Sequence, residues 1–82
     1  MPIDYSRLRG LTVRAIQRAL ERDGFALARQ KGATRFFRHE DGRRVTLHVH
    51  RPGQTLPIGT LREIIENEAR WEEEDLLRLR LL

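Results

Sequence analysis

The sequence has 82 residues, of which 39% are hydrophobic, enough for one small domain with a modest core. It contains no cysteine, which excludes a disulfide framework, a thiolate nucleophile and zinc sites built on sulfur. The longest uninterrupted apolar run, residues 25–28, is far shorter than the roughly 20 residues of a membrane span. The first residues do not combine a basic region with an apolar core, so we expect no signal peptide and a cytoplasmic location.

Positive charge is concentrated in the first part of the chain. Of the 16 basic residues, 15 are arginines and Lys31 is the only lysine. Residues 1–51 carry 12 basic and five acidic side chains, a net charge of +7, whereas residues 52–82 carry four basic and seven acidic ones, a net charge of −3. Arginine presents a planar fork of donors that suits phosphate, so this asymmetry indicates nucleic-acid binding. A solvated arginine-rich surface is the alternative.

The first predicted element is a helix that follows an irregular arm over residues 1–11. Thr12 is placed to cap its N-terminus, and Gly24 is placed to end it in a left-handed conformation. Apolar residues recur at helical spacing on one face, and arginines recur every four residues on another. The arginine stripe can meet phosphates, but we favour solvation for it. The apolar face comprises Val13, Ile16, Ala19 and Leu20, and the stripe Arg14, Arg18 and Arg22.

Three β-strands are predicted next, over residues 25–30, 34–39 and 43–50. Asp41 and Gly42 are a strong hairpin signal, and if they form a two-residue loop, Phe36 lies opposite Leu47 on the apolar face. One extra loop residue would move the second strand's side chains to the opposite faces. The predicted polar face comprises Arg35, Phe37, His39, Arg44, Thr46, His48 and His50. This mixture suits single-stranded RNA, which needs phosphate contacts and a stacking platform, but a plain polar face with Phe37 covered fits equally well.

The last part of the chain predicts two helices. A capping box at Thr60 and Glu63 begins the first, with Leu61, Ile64 and Ile65 facing inward. The acidic run at residues 72–75 is placed to begin the second, because negative charge is favourable at a helix N-terminus. Trp71 and the terminal leucines are expected in the core, and a homodimer or a protein partner through them is the alternative.

Histidine is the residue that limits the chemistry this sequence can perform. The imidazoles of His39, His48 and His50 can exchange protons near neutral pH, including the proton of a ribose 2′-hydroxyl. The usual spacings of metal ligands and the motifs of nucleotide-binding loops are missing from the sequence. We therefore expect no metal and no cofactor.

Residues 30–50, which include Asp41-Gly42-Arg43-Arg44-Val45-Thr46, and the later Gly59-Thr60-Leu61-Arg62 resemble the core of HicA toxins. The resemblance covers residues 12–79. It implies a small α+β domain similar to a double-stranded-RNA-binding domain, with α-β-β-β-α order, a three-stranded antiparallel sheet packed on helices, and here a short extra C-terminal helix. It also implies an mRNA-cleaving, metal-independent endoribonuclease that is neutralised by a HicB-like antitoxin protein. Residues 12–82 are accordingly predicted to form one HicA-like domain.

The sequence departs from that family at one position. HicA toxins typically carry Gly-Ser-His with a catalytic histidine, where this chain has Gly32-Ala33-Thr34. Threonine has no acid–base role near neutral pH, although its hydroxyl can donate to a phosphate oxygen. Three explanations are open. Either His48 or His50, with His50 preferred, has taken over the catalytic role of the missing histidine. Alternatively, the domain binds RNA without cutting it, or it is an inactive toxin that retains antitoxin binding. The predicted phosphate and base contacts are Lys31, Arg35, Phe37, Arg38, Arg43 and Arg44.

Overall fold

The computed structural model describes residues 3–51 and 53–82, which form a three-stranded antiparallel sheet packed on helices. Met1 and Pro2 of the predicted arm and Pro52 of the predicted loop lie outside the described residues. After a 3₁₀ turn at Tyr5–Leu8 come α1 (Val13–Asp23), β1 (Ala26–Lys31), β2 (Thr34–Arg38), β3 (Arg44–His48), α2 (Ile58–Arg62), a π-helical continuation of α2 (Glu63–Glu68), and α3 (Glu73–Arg78). This order confirms the predicted α+β fold with its extra C-terminal helix.

Local sequence signals set both ends of α1. The Thr12 side chain accepts a hydrogen bond from the Ala15 backbone N–H at 3.1 Å, which satisfies one of the free donors of the first turn. Gly24 ends the helix at a φ of 102°, a left-handed conformation that costs glycine little. The four apolar residues predicted for the inner face are all buried. The predicted helix is confirmed at both ends.

The register of β2 against β3 differs from the predicted one by a single residue. Three residues form the loop, since the His39 backbone N–H donates to Arg43 O at 2.9 Å and Gly42 adopts a φ of 97°. Phe37 therefore pairs with Val45, and Phe36 pairs with Thr46. The predicted face of β2 is wrong: Phe37 is 2% exposed in the core, whereas Phe36 lies on the opposite face. The faces of β3 are as predicted, because only β2 moves with the extra loop residue.

The core lies between the sheet and the helices. Val45 and Leu47 of β3 pack in one cluster with the inner face of α1 and with Leu61, Ile64 and Ile65 of α2 and its continuation. The predicted capping box at Thr60 is wrong, because α2 begins earlier, at Ile58 after Pro57. Proline suits the start of a helix, where its missing N–H costs no helical hydrogen bond. Among helices of the described ranges, none is long and apolar enough to cross a membrane.

The C-terminal helix and the arm complete the core. Trp71 and the leucines at 76 and 79 are buried, as predicted, whereas Leu77, which was also expected in the core, is 54% exposed. The acidic run begins α3, and the Glu72 backbone N–H donates to Asp75 at 2.8 Å. In the arm, Leu8 is fully buried and the Tyr5 hydroxyl donates to Glu66 Oε2 at 2.5 Å. Burial and this hydrogen bond raise the pKa of Tyr5 to about 12.

Candidate nucleic-acid interface

The sheet face opposite the core, which we call the outer face, carries its side chains in three rows across the strands. The buried Phe37, Val45 and Leu47 point to the core, so their neighbours along each strand point away from it. The rows are about 7 Å apart, since alternate residues of a strand share a face. In order along β2 they are Lys31, Thr34 and His48, then Arg29, Phe36 and Thr46, then Ala26, Arg38 and Arg44.

The first row holds the only side-chain hydrogen bond that joins two of these row residues in the described ranges. Thr34 Oγ1 lies 3.2 Å from His48 Nδ1. The contact fixes one nitrogen of the imidazole, and His48 itself is exposed. Lys31 pairs with Thr34 on the other side, so a hydroxyl, an imidazole and an ammonium lie side by side. Such a row can bind a phosphate and exchange a proton with a group beside it.

An aromatic ring lies in the middle row. The Arg29 guanidinium carbon is 5.8 Å from the centre of the Phe36 ring, within cation–π range. Around them is a shallow depression of about 490 Å³, which Arg38, Arg44 and Thr46 also line. Sequence reasoning missed both Arg29 and Phe36, because a bulge between Leu27 and Arg29 breaks the alternation of β1 and the loop length moves Phe36 to this face.

Arg43, a predicted phosphate contact, lies among acceptors of the fold itself. Its guanidinium contacts Asp23 at 3.0 Å and Asp41 at 2.7 Å, and it donates to the Ala69 carbonyl oxygen at 2.6 Å. It also lies 4.9 Å from the centre of the Phe25 ring. With Nη1 and Nε bonded to these acceptors and its side chain 17% exposed, Arg43 holds the hairpin to the rest of the domain.

Asp23 is the acceptor at the centre of this cluster. The Trp71 indole donates to it at 2.9 Å, and Arg78 contacts its other oxygen at 2.9 Å. Burial alone would raise the pKa of Asp23, but the hydrogen bonds from Trp71 and Arg78 and the charge of Arg43 outweigh it and lower the pKa. His39, predicted on the polar face, also turns inward here, and its Nε2–H donates to Asp23 O at 2.8 Å.

The remaining predicted site residues do not lie in the outer-face rows. Arg35 pairs with Leu47 on the core side, where its Nη1 donates to Gln17 Oε1 at 2.6 Å. His50 lines a groove against α1, two residues beyond His48. Phe37 is too buried to stack on a base. The outer face therefore brings together five of the nine predicted residues: Lys31, Thr34, Arg38, Arg44 and His48.

Comparison with protein families finds one whose model, described as HicA toxin of bacterial toxin-antitoxin, matches residues 13–68. The match takes in α1, the whole sheet and α2 with its continuation. This chain belongs to the HicA toxin family. A search of curated proteins gives no match.

Membership in the HicA family gives the outer face its context. HicA proteins are the toxins of toxin–antitoxin systems, so this chain is one that pairs with an antitoxin. The matched segment contains every residue of the three rows. Among residues 3–51 and 53–82, there is no group of three or more histidine, aspartate or glutamate side chains that could hold a metal ion.

Proposed function

We propose that this HicA-family chain binds mRNA on its outer face and cleaves it as an endoribonuclease. The observation that carries the proposal is the contact of Thr34 with His48, beside Lys31. Threonine occupies the position where the resemblance implies a catalytic histidine, and an imidazole lies directly across from it on the next strand. The register favours His48 over His50 as the acid–base group, because Thr34 pairs with His48.

The proposed cleavage needs one proton acceptor, one proton donor and positive charge. With Nδ1 held by Thr34, the Nε2 atom of His48 is available to take the proton of a ribose 2′-hydroxyl. The 2′-oxygen then attacks the adjacent phosphorus and the bond from phosphorus to the 5′-oxygen breaks. The leaving 5′-oxygen takes a proton from water or from the imidazolium, giving a 2′,3′-cyclic phosphate and a 5′-hydroxyl. Lys31 supports the step by stabilising charge on the phosphate oxygens.

The rest of the outer face suits the binding of a single strand. Phe36 with Arg29 offers a platform on which a base can stack, and stacking of this kind contributes about 1–3 kcal/mol per base. Arg38 and Arg44 lie one row further on and are both exposed. Neither contacts a carboxylate within ion-pair distance in the described ranges, so both are available for phosphates.

The test is cleavage of an unstructured RNA by the purified chain with EDTA present. We expect His48→Ala to lower the cleavage rate by at least about 100-fold, the lower end of what a general acid–base group contributes. The same substitution at His50 is the matched comparison, and we expect a much smaller loss from it. Undiminished cleavage by His48→Ala would refute the role of His48. Both side chains are exposed, so neither variant should misfold.

A second candidate function is RNA binding without cleavage, and the threonine at position 34 favours it. Thr34 cannot itself titrate near neutral pH. This function predicts salt-dependent binding of RNA that remains intact, and it predicts that Thr34→His creates cleavage that the parent chain lacks. A binding assay run beside the cleavage assay separates the two functions.

We assign the chain a cytoplasmic location, where its substrate would be mRNA, and a HicB-like antitoxin as its partner. Family membership supports the pairing. Co-expression with a HicB-like protein should give a complex that no longer cleaves RNA. A homodimer is a separate prediction, which the molecular mass of the purified chain in light scattering would test.

A further inference from the structure

A second basic surface lies between α1 and the chain that follows β3, which we call the α1 groove. It is open to solvent and has a volume of about 400 Å³. Two valines, Val13 and Val49, form part of its apolar wall. Its charged lining comprises Arg14, Arg18, Arg35, Arg51 and a single carboxylate, Glu21.

These four arginines differ from those that stabilise the fold. Arg43, Arg62 and Arg78 each contact a carboxylate. In contrast, none of the four groove arginines lies within ion-pair distance of a carboxylate in the part of the chain that the structure describes. Four unneutralised guanidinium groups with only one acid repel each other, and a bound polyanion relieves that repulsion.

The groove is also held in shape before any ligand binds. Arg35 is fixed to α1 by its 2.6 Å hydrogen bond to Gln17. Arg14 and Arg18 are one turn apart on the same helix, a rise of about 6 Å, so they can contact successive phosphates of one strand. The backbone leading to Arg51 is held by Gln54, whose side chain accepts from His50 N at 2.8 Å and donates to His48 O at 3.2 Å.

Through Gln54, the groove is joined to the first row of the outer face. His48 lies in that row, and residues 49–51, which directly follow it, line the groove. The groove lies on the other side of the sheet, where Arg35 faces α1, and two residues of extended chain span about 7 Å, so a nucleic-acid strand that passes His48 reaches the groove by crossing the end of β3. This continuity favours RNA over an acidic protein as the occupant.

We propose that the α1 groove is a second phosphate-binding site, which holds the RNA strand where it leaves the outer face at His48. The inference rests on the proposed function. Arg14 and Arg18 contact the phosphates, and Arg35 adds positive charge from the groove wall. The outer face then selects and cleaves the RNA strand, and the groove adds binding affinity without reading the base sequence.

The experiment measures binding of a 2′-O-methyl oligouridine, which lacks the free hydroxyl needed for cleavage. A length of about 20 nucleotides exceeds the site of a typical small single-strand-binding domain. Fluorescence anisotropy over a salt series gives the slope of log Kd against log salt. We expect the double variant Arg14→Gln with Arg18→Gln to reduce that slope by about 1.4, since each phosphate contact on a single strand contributes about 0.7.

The matched control is Arg7→Gln with Arg9→Gln, which removes the same charge from the arm, outside the groove lining. An equal reduction by both pairs, or no reduction by the groove pair, overturns the inference. The same holds if the groove pair leaves RNA binding intact and weakens binding of a polyglutamate peptide. A third pair, Arg38→Gln with Arg44→Gln, identifies which proposal fails. If only this pair reduces the slope, the groove inference alone is wrong, and if the parent chain binds no RNA, the proposed function is wrong.

Discussion

At the scale of single residues, the proposed cleavage depends on Thr34 and His48, because Thr34 stands where HicA toxins typically carry a histidine. The hydroxyl of Thr34 cannot transfer a proton near neutral pH, but it can orient an imidazole that does. Its 3.2 Å contact with His48 Nδ1 leaves the second imidazole nitrogen directed away from the contact. Thr34 is therefore a positioning residue in the proposed cleavage, and His48 is the group that reacts.

Replacing Thr34 by valine removes the hydroxyl and keeps a β-branched side chain in β2. We expect kcat for RNA cleavage to fall about fivefold, since one hydrogen bond contributes about 1 kcal/mol and 1.36 kcal/mol corresponds to tenfold in rate. KM should change little, because in the proposed mechanism Lys31, Arg38 and Arg44 contact the phosphates while the Thr34 hydroxyl contacts His48. Steady-state kinetics measure both values. Thr34→Ser should restore kcat, and Thr46→Val in the next row is the control. A change confined to KM would contradict the positioning role.

At the scale of elements, the β2–β3 hairpin shows which part of the interface can be predicted from the sequence and which part cannot. The faces of β3 follow from alternation alone, so Arg44, Thr46 and His48 were predicted on the outer face and lie there. The face of β2 depends on whether the loop has two residues or three, which the Asp-Gly signal does not specify. The one extra loop residue places Phe36 on the outer face, where the two-residue loop would have placed Phe37.

The loop depends on Gly42, whose φ of 97° is disfavoured for any residue with a Cβ. A Cβ built there meets nothing within 4 Å, so the cost of Gly42→Ala is conformational alone, about 1 kcal/mol. Gly59 is the matched control, because it lies within α2, its Cβ would also meet nothing within 4 Å, and alanine is favoured in helices. Gly59→Ala should stabilise by about 0.5–1 kcal/mol. Urea denaturation measures the change in unfolding free energy of both variants. Two changes of the same sign would contradict this account.

At the scale of the whole molecule, the arginines divide into two groups with different tasks. Arg43 and Arg78 bind Asp23, which joins the end of α1 to the hairpin, to Trp71 and to α3. Others lie on the outer face and in the α1 groove, with no carboxylate within ion-pair distance in the described ranges. The sequence predicted helix ends and core residues from local signals. It could not distinguish the arginines that stabilise the fold from the others, because the partners of Arg43 lie 20 and 26 residues away, at Asp23 and Ala69.

The cluster around Asp23 makes the stability of the domain depend on pH. Because its pKa in the folded state is lowered, Asp23 holds its proton more weakly when folded than when unfolded. Its stabilisation is therefore complete above the unfolded pKa of about 3.9 and is lost as the pH falls through the lower folded value. Asp23→Asn should cost roughly 2 kcal/mol near neutral pH, since Arg43, Arg78 and Trp71 lose a charged acceptor while Arg43 keeps its contact with Asp41.

Urea denaturation between about pH 2 and pH 7 measures this dependence, and the asparagine variant should lose part of the decline that the parent chain shows below about pH 4. Asp41→Asn is the control, because Asp41 contacts the same Arg43 from an exposed position and its loss should cost less. A variant at Asp23 whose stability follows the parent curve at every pH would show that the carboxylate does not join the four segments. Equal losses at Asp23 and Asp41 would show that its burial contributes nothing.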